Sequence, residues 1–288
     1  MITVKNLNYI YQPGMPFEQQ ALTDISFEIP DGDFAAIIGH TGSGKSTLIQ
    51  HLNGLVKATS GSIIINGMDI VAKDANLKKL RSEVGLVFQY PEYQLFEETV
   101  YDDIAFGPKN MGLSEDEVKE RVYESIKLVG ISADLLTKSP FELSGGQKRR
   151  VAIAGVISMR PKVLILDEPT AGLDPHGRDE ILSQLLKMHQ DRGDMTVIFV
   201  SHSMEDVAKL AKHIIVLDHG RVKMDGEVSE IFARGEELSK IGLDVPQITR
   251  LTQALIARGV DIRPDIYTVE YAKRIYSELF LKKGDRKC

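Results

Sequence analysis

Phe34-Ala35-Ala36-Ile37-Ile38-Gly39-His40-Thr41-Gly42-Ser43-Gly44-Lys45-Ser46-Thr47 decides the fold of this 288-residue chain. The apolar run Phe34–Ile38 reads as a strand covered on both faces. A helical pattern, Leu48–Val56, follows the glycines. Strand, glycine-rich loop and helix in that order make a phosphate-binding loop. Glycines let backbone N–H groups curve around phosphate oxygens without side-chain clash. The helix N-terminus adds partial positive charge where the phosphates would sit. Lys45 is placed to reach the β- and γ-phosphates, and the Ser46 hydroxyl to ligate Mg²⁺. Gly39, Thr41, Gly42, Ser43, Gly44 and Thr47 complete the loop. By itself this cradle does not distinguish kinase, GTPase and ATPase.

Outward from the loop, short apolar runs alternate with helix-length segments. Asp24–Ile29 alternates like a half-buried strand. Ser62–Ile65, Val84–Phe88, Val163–Leu166, Thr196–Val200 and His213–Leu217 are further strand candidates. The alternation predicts an α/β fold with a mostly parallel sheet and crossover helices. Residues 101–158 carry helical patterns and almost no strand signal, which predicts a helical subdomain inserted in the sheet. Its entry is Gln89-Tyr90-Pro91, where proline forces an extended or turned backbone. Ser114 and Glu117 form a capping box for one of its helices, closed by Gly130. From about Gly235 the composition shifts. Pro246 is expected to start a helix with Ile248, Leu251, Leu255 and Ile256 on one face and Gly259 at its end. Thr268 is expected to cap a second helix carrying Val269, Ala272, Ile275 and Leu279. The tail Lys282–Cys288 is polar and expected to fray. The reading divides the chain into 1–234 and a C-terminal helical extension, 235–288.

Composition removes several classes of function. With 35 Lys+Arg against 41 Asp+Glu the net charge is −6, which argues against a chain that grips a nucleic-acid backbone. The single cysteine is Cys288, so no internal disulfide or cysteine-built metal site can form. No run approaches the ~18 apolar residues of a membrane span, and Met1–Lys5 does not open a secretory signal. The expected place is the cytosol, with docking on a membrane protein left open.

Two later segments narrow the chemistry. Val163-Leu164-Ile165-Leu166-Asp167-Glu168 is an apolar strand ending in two acids. Beside a phosphate loop, the first acid is placed to hold Mg²⁺ and the second to polarise an attacking water, so Asp167 is the metal acid and Glu168 the general base. Leu143-Ser144-Gly145-Gly146-Gln147 opens the helical stretch Lys148–Ser158, with Ser144 as cap and two glycines exposing backbone N–H groups. Lys148, Arg149 and Arg150 oppose the helix dipole there, which favours a nearby anion.

In sequence order, Gly39–Thr47, Gln89, Leu143–Gln147, Val163–Glu168, Ala171-Gly172-Leu173-Asp174 and His202 resemble the motifs of the ATP-binding cassette (ABC) ATPases, over the chain from its N-terminus to about Phe232. The resemblance implies a P-loop NTPase (RecA-like) cassette: a mostly parallel sheet, an N-terminal antiparallel part, the helical insert (about 89–158) and the C-terminal extension. It implies ATP and Mg²⁺ as ligands. Tyr11 matches the aromatic residue that stacks on adenine, with Tyr9 and Phe17 as neighbouring competitors. Gln89 matches the glutamine that senses Mg²⁺ and the attacking water, and His202 the histidine at the γ-phosphate. Ser144, Gly145, Gly146 and Gln147 match the signature, which contacts ATP held by the opposite subunit. Asp174 matches an aspartate across the dimer interface. One loop and one signature per chain imply pairing with itself or a related cassette.

Phe88–Phe96, Thr99–Pro108 and Lys148–Gly155 resemble more narrowly the ATPases of energy-coupling factor importers, and most the second of their two unlike ATPases. That implies a prokaryotic complex at the cytoplasmic face of the membrane, importing vitamins or transition-metal ions. Its other members are a second cassette, a transmembrane coupling subunit and a substrate-binding membrane subunit. Glu92, Glu97, Glu98, Asp102 and Asp103 are expected to offer the coupling subunit an acidic surface, with Glu98, Asp102 and Asp103 as docking residues. A different transporter class, or a soluble cassette ATPase, is the alternative.

Overall fold

In the computed structural model, which describes residues 1–284 and side chains through Leu279, the run Phe34–Ile38 is a central strand. Phe34, Ala36 and Ile38 face one hydrophobic cluster and Ala35 and Ile37 the other. An unbroken apolar run is what a strand buried on both faces requires. The strands are β1 (Ile2–Tyr11), β2 (Gln19–Ile29), β3 (Phe34–Ile38), β4 (Ser60–Ile65), β5 (Met68–Asp69), β6 (Val84–Val87), β7 (Val163–Asp167), β8 (Thr196–Val200), β9 (His213–Asp218) and β10 (Arg221–Glu227). The helices are α1 (Lys45–Leu52), α2 (Leu77–Glu83), α3 (Val100–Asn110), α4 (Glu115–Leu128), α5 (Gly145–Ile157), α6 (Pro175–Arg192), α7 (Met204–Leu210), α8 (Val228–Ala233), α9 (Gly235–Lys240), α10 (Gln247–Ala257) and α11 (Val269–Gly284).

One sheet runs β10-β9-β3-β8-β7-β6, parallel except for β10 on its edge. The other is antiparallel, β2-β1-β4-β5. Between them lies a cluster that joins Ile2, Val4 and Phe27 to Ala35, Ile37, Ile165 and Ile198, with Leu48 and Leu52 of α1. The other face of the parallel sheet packs on α3 to α6. The helical insert falls between β6 and β7, over the residues the sequence marks out. Its capping box at Ser114 forms, and Gly130 (φ 67°) follows the end of α4.

The differences have local causes. The sequence reading names no strand at β1, because Asn6 (φ 48°) and register shifts between Val4 and Leu7 break its alternation. It also misses β10, an edge strand whose charged residues blunt further pairing but hide its pattern. In α10 the expected apolar face is not the buried one. Pro246 precedes the helix, Leu251 and Ile256 are exposed, and Thr249 and Thr252 are buried. Each threonine has a partner in the seam: Thr249 donates to the Ile266 carbonyl (2.9 Å), and Thr252 pairs with the Tyr276 hydroxyl (2.8 Å). A hydroxyl so satisfied can be buried at little cost. Thr268 caps α11 as expected, but Val269 at its start is exposed. Beyond Gly235, Leu238 and Val245 join the core of the parallel sheet. Of the tail Lys282–Cys288, the part through Gly284 closes α11, and 285–288 lie outside the described residues.

His213 ties β9 to its surroundings. Its imidazole pairs with Asp225 on β10 and faces Asp33 (3.8 Å) before β3. The Asp225 bond raises its pKa above the usual imidazole range, against the effect of burial. A base with a raised folded-state pKa stabilises the fold at low pH, and that stability is lost as pH rises through the folded value. His213→Gln is expected to remove this step. Urea midpoints measured between about pH 6 and pH 9 should fall more steeply with pH in the parent than in the variant.

Candidate functional site

The loop between β3 and α1 builds the site from backbone. Gly44, with φ 102°, stands at the cap of α1 and brings no side chain to cap its first turn, and among the described residues none other accepts from it. Helices α4, α5, α6 and α7 each have a side-chain cap. The first-turn N–H groups of α1 are thus left for a ligand. Gly42 also has a positive φ, 82°. Gly39 is required by contact: a Cβ there would lie 2.4 Å from the Leu217 carbonyl oxygen and from Ser43 Oγ. Ser43 is fully buried beneath the loop, with its N–H bonded to the His40 carbonyl (3.1 Å).

Lys45 is also buried. Its ammonium donates to the carbonyls of Gly39 (2.7 Å) and His40 (3.0 Å). Burial lowers its pKa, while Glu168 and Asp167 push it back up. Tyr11, Thr41, Gly42, Gly44, Lys45, Ser46, Thr47, Gln89, Glu168 and His202 line one open cleft of about 660 Å³. Tyr11 sits at its edge, with its hydroxyl 3.0 Å from Thr47 Oγ1. Tyr9 packs edge-on against Tyr11 and His51, and neither Tyr9 nor the exposed Phe17 lines the cleft.

The acids close the far side. Asp167 ends β7 and accepts from Ser46 Oγ at 3.4 Å. Burial raises its pKa, and the neighbouring Glu168 charge adds to that. Glu168 has φ 49°, a conformation that costs a non-glycine residue about 1–3 kcal/mol. The ladder holds it there: its N–H reaches the Val200 carbonyl at 3.0 Å, one residue past the pairing of β7 with β8. Gln89 Nε2 donates to Glu168 Oε2 (3.2 Å), and His202 Nε2 pairs with Oε1. Both carboxylate oxygens are therefore held.

The structure does not bring every sequence-derived candidate into this cleft. Ser144, Gly145, Gly146, Gln147 and Asp174 line no part of it. Ser144 and Gln147 cap α5 reciprocally (3.0 and 3.3 Å), and a Cβ at Gly145 or Gly146 would meet nothing within 4 Å. Asp174 caps α6 through the Gly177 N–H (2.7 Å). The anion expected near Lys148–Arg150 is supplied from within the chain. Arg149 grips Glu92 with two bonds (2.9 and 3.0 Å), and Arg150 pairs with Glu180. The acidic surface is also largely spent internally. Glu92 faces Arg149, Asp102 takes Lys109 (2.8 Å) and Thr99 (2.6 Å), and Asp103 accepts the Phe96 N–H (3.1 Å). Burial raises the Asp103 pKa. Asp102 and Asp103 are therefore not free docking charges; Glu98 remains exposed.

The sequence reading names neither of two ion pairs that each bury a charged group. One is Arg149–Glu92. The other is Asp206, 1% exposed, held by Arg178 (2.7 and 2.9 Å) beside Ser203. Neither pair announces itself in sequence, since the partners are 57 and 28 residues apart.

Comparison with known proteins agrees with this geometry. The ABC transporter family profile matches residues 22–171. An energy-coupling factor transporter ATP-binding protein EcfA2 from Caldanaerobacter subterraneus subsp. tengcongensis is 61% identical, over 94% of this chain and 95% of that one. The EcfA2 of Clostridium perfringens is 57% identical over 96% and 98%. Among solved structures, cbiO1 from Clostridium perfringens, part of the ABC transporter complex cbiONQ, superposes with a TM-score of 0.74 at 43% identity, covering 88% of this chain and 98% of that one. The cassette MJ0796, solved as a dimer in a post-hydrolysis state with ADP and Pi, has a TM-score of 0.70 at 29% identity, covering 79% and 99%. The chain belongs to the ABC transporter family, as an ATPase of its energy-coupling factor branch.

Proposed function

We propose that this chain hydrolyses ATP as one cassette of an energy-coupling factor importer, seated at the cytoplasmic face of a membrane and coupled to uptake of vitamins or transition-metal ions. The observation that carries the reading is the split of the site. Loop, Glu168, Gln89 and His202 share one cleft, with Asp167 joined to it through Ser46, whereas Ser144–Gln147 and Asp174 stand outside it. A nucleotide in the cleft then meets a signature only from a second cassette, either a copy of this chain or a related one. MJ0796, a relative at the level of the cassette, was solved as a dimer.

In this reading the β- and γ-phosphates lie on the first-turn N–H groups of α1, and Lys45 leaves the Gly39 and His40 carbonyls to meet them. Ser46 and Asp167 offer two hard oxygen donors side by side, and the buried Asp167 carboxylate wants a cation; this donor chemistry fits Mg²⁺. When bound, Mg²⁺ would neutralise charge on the phosphates. Glu168 takes the proton of the attacking water, and His202 and Gln89 keep its carboxylate aimed. Closing and opening of paired cassettes would transmit the energy as rigid-body motion.

Docking on a membrane partner has a surface to use. No helix among the described residues is long and apolar enough to cross a membrane. A groove of about 970 Å³ runs between α2, α3 and α5, and its lining includes Leu55, Phe96, Phe106 and Met159. Phe96 and Phe106 are 60% and 44% exposed and meet edge to face at 5.0 Å. An exposed apolar groove of this kind marks an interaction site, and here we assign it to the transmembrane coupling subunit, with the substrate-binding subunit reached through it.

The reading is tested with the assembled complex. Lys45→Ala removes a charge-assisted contact and is expected to weaken nucleotide binding by about 10- to 100-fold, with uptake lost while the complex still co-purifies. Unchanged nucleotide affinity, measured by a fluorescent analogue, would remove Lys45 from the site. A cassette that never co-purifies with membrane subunits would sink the importer assignment.

A further inference from the structure

At the mouth of the nucleotide cleft, three side chains suited to metal ligation converge, and the proposed reaction uses none of them. They are His40, Asp218 and His219, whose ligand atoms all lie within 4.8 Å of one another. His40 follows the first glycine of the loop, Asp218 ends β9, and His219 opens the two-residue turn into β10. His40 Nε2 is 3.1 Å and His219 Nε2 3.7 Å from the same oxygen, Asp218 Oδ1. Donors bound at 2.0–2.1 Å to a tetrahedral ion stand about 3.3–3.4 Å apart. The two observed spacings bracket that value.

The hydrogen-bond partners of His40 fit a ligand role. Its Nδ1 lies 2.8 Å from the Thr41 carbonyl oxygen. A carbonyl can only accept, so Nδ1 carries the hydrogen. In the neutral ring, Nε2 then turns a lone pair toward a carboxylate oxygen at hydrogen-bond distance. Two electron pairs so placed repel unless a proton or a metal cation lies between them. A histidine whose other ring nitrogen donates to a backbone carbonyl is also how metal-binding imidazoles are oriented.

The backbone keeps the three residues in register. Gly39 lies so close to the Leu217 carbonyl that a Cβ would stand 2.4 Å away. The turn is bolted to the loop by Gly220 N–H to the Ser43 carbonyl (3.0 Å), and to β2 by Thr23 N–H to the Gly220 carbonyl (2.7 Å). His219 and Gly220 have φ 45° and 72°, the positive values of a type I′ hairpin turn. Asn, Asp or Gly would fill the first position more readily; histidine there brings its ring to 4.9 Å from that of His40. Its side chain is 85% exposed, which leaves an entry path and an open coordination position.

We propose that His40, Asp218 and His219 bind a first-row divalent transition ion of the zinc type, apart from the Ser46 and Asp167 oxygens. Two imidazoles and one carboxylate favour such an ion over Mg²⁺. The experiment uses the full chain without nucleotide, in excess Mg²⁺, in a Cys288→Ser background that removes its only thiol. Zn²⁺ is titrated in competition with a chromophoric chelator, and Co²⁺ is followed by its visible absorption. One ion per chain is expected, with tetrahedral Co²⁺ bands. Asp218→Asn and His219→Asn should each weaken Zn²⁺ by about 10-fold or more and erase those bands. His219→Asn keeps the turn, because asparagine accepts positive φ; an unaltered circular dichroism spectrum and melt confirm that fold. Absence of Zn²⁺ uptake by the parent would leave only a hydrogen-bonded His40–Asp218 contact and overturn the proposal. So would isotherms that both variants leave unchanged.

Discussion

Glu168→Gln should bind nucleotide with nearly unchanged affinity and turn it over about 100- to 10,000-fold more slowly, the range for losing a positioned general base. The amide keeps the length and volume of the side chain. It cannot take a proton from water, and it cannot hold His202 as the carboxylate does at Oε1. The binding groups are untouched, because Lys45 and the first turn of α1 belong to another element. The strained backbone at φ 49° is shared by both side chains, so the fold is preserved. Phosphate release from the assembled complex, alongside nucleotide affinity, separates the two quantities. Turnover within tenfold of the parent would remove Glu168 as the base. An equal loss of affinity would mean that its carboxylate shapes the cleft rather than the chemistry.

The legible parts of this chain are those in which one strand or loop carries its own signal. Phe34–Ile38 and Thr196–Val200 are strands residue for residue, because both faces are covered and no polar residue interrupts them. Of the residues that line the cleft, local patterns mark the loop after β3 and Glu168 after β7, whereas Tyr11 at the end of β1, Gln89 after β6 and His202 after β8 are marked only by the family resemblance, and His219 and Gly220 by neither. The parts that stayed hidden depend on distant partners. β1 is kinked by its own bulge. The buried side of α10 is polar because the Ile266 carbonyl accepts from Thr249 and the Tyr276 hydroxyl pairs with Thr252, partners 17 and 24 residues away. The basic run at the start of α5 suggested an outside anion. Its anions are Glu92 and Glu180, and no spacing rule connects residues so far apart.

That basic run carries the second large effect. Arg149→Ala is expected to cost about 3–5 kcal/mol, the range for breaking a buried ion pair by removing one partner. Arg149 is 2% exposed. It binds Glu92 by Nε (3.0 Å) and Nη2 (2.9 Å), and Nη1 reaches the carbonyls of Ala171 (2.6 Å) and Pro169 (3.3 Å). One guanidinium thus fastens α5 both to the turn after Gln89 and to the segment after Glu168. Alanine leaves a carboxylate and two carbonyls without partners, and each must be repaired by water or movement. Lysine restores charge without the planar fork, so Arg149→Lys should recover only part of the loss. Urea unfolding measures the cost. Glu92→Gln in the same background then isolates the pair: if the ion pair dominates, the double variant loses less than the sum of the singles. The folded fraction of Arg149→Ala should also turn over nucleotide slowly, since Gln89 and Glu168 lose a shared anchor. A loss below about 1 kcal/mol, the value of a surface pair, would show that the linkage is ornamental and that the two segments hold their places by packing alone.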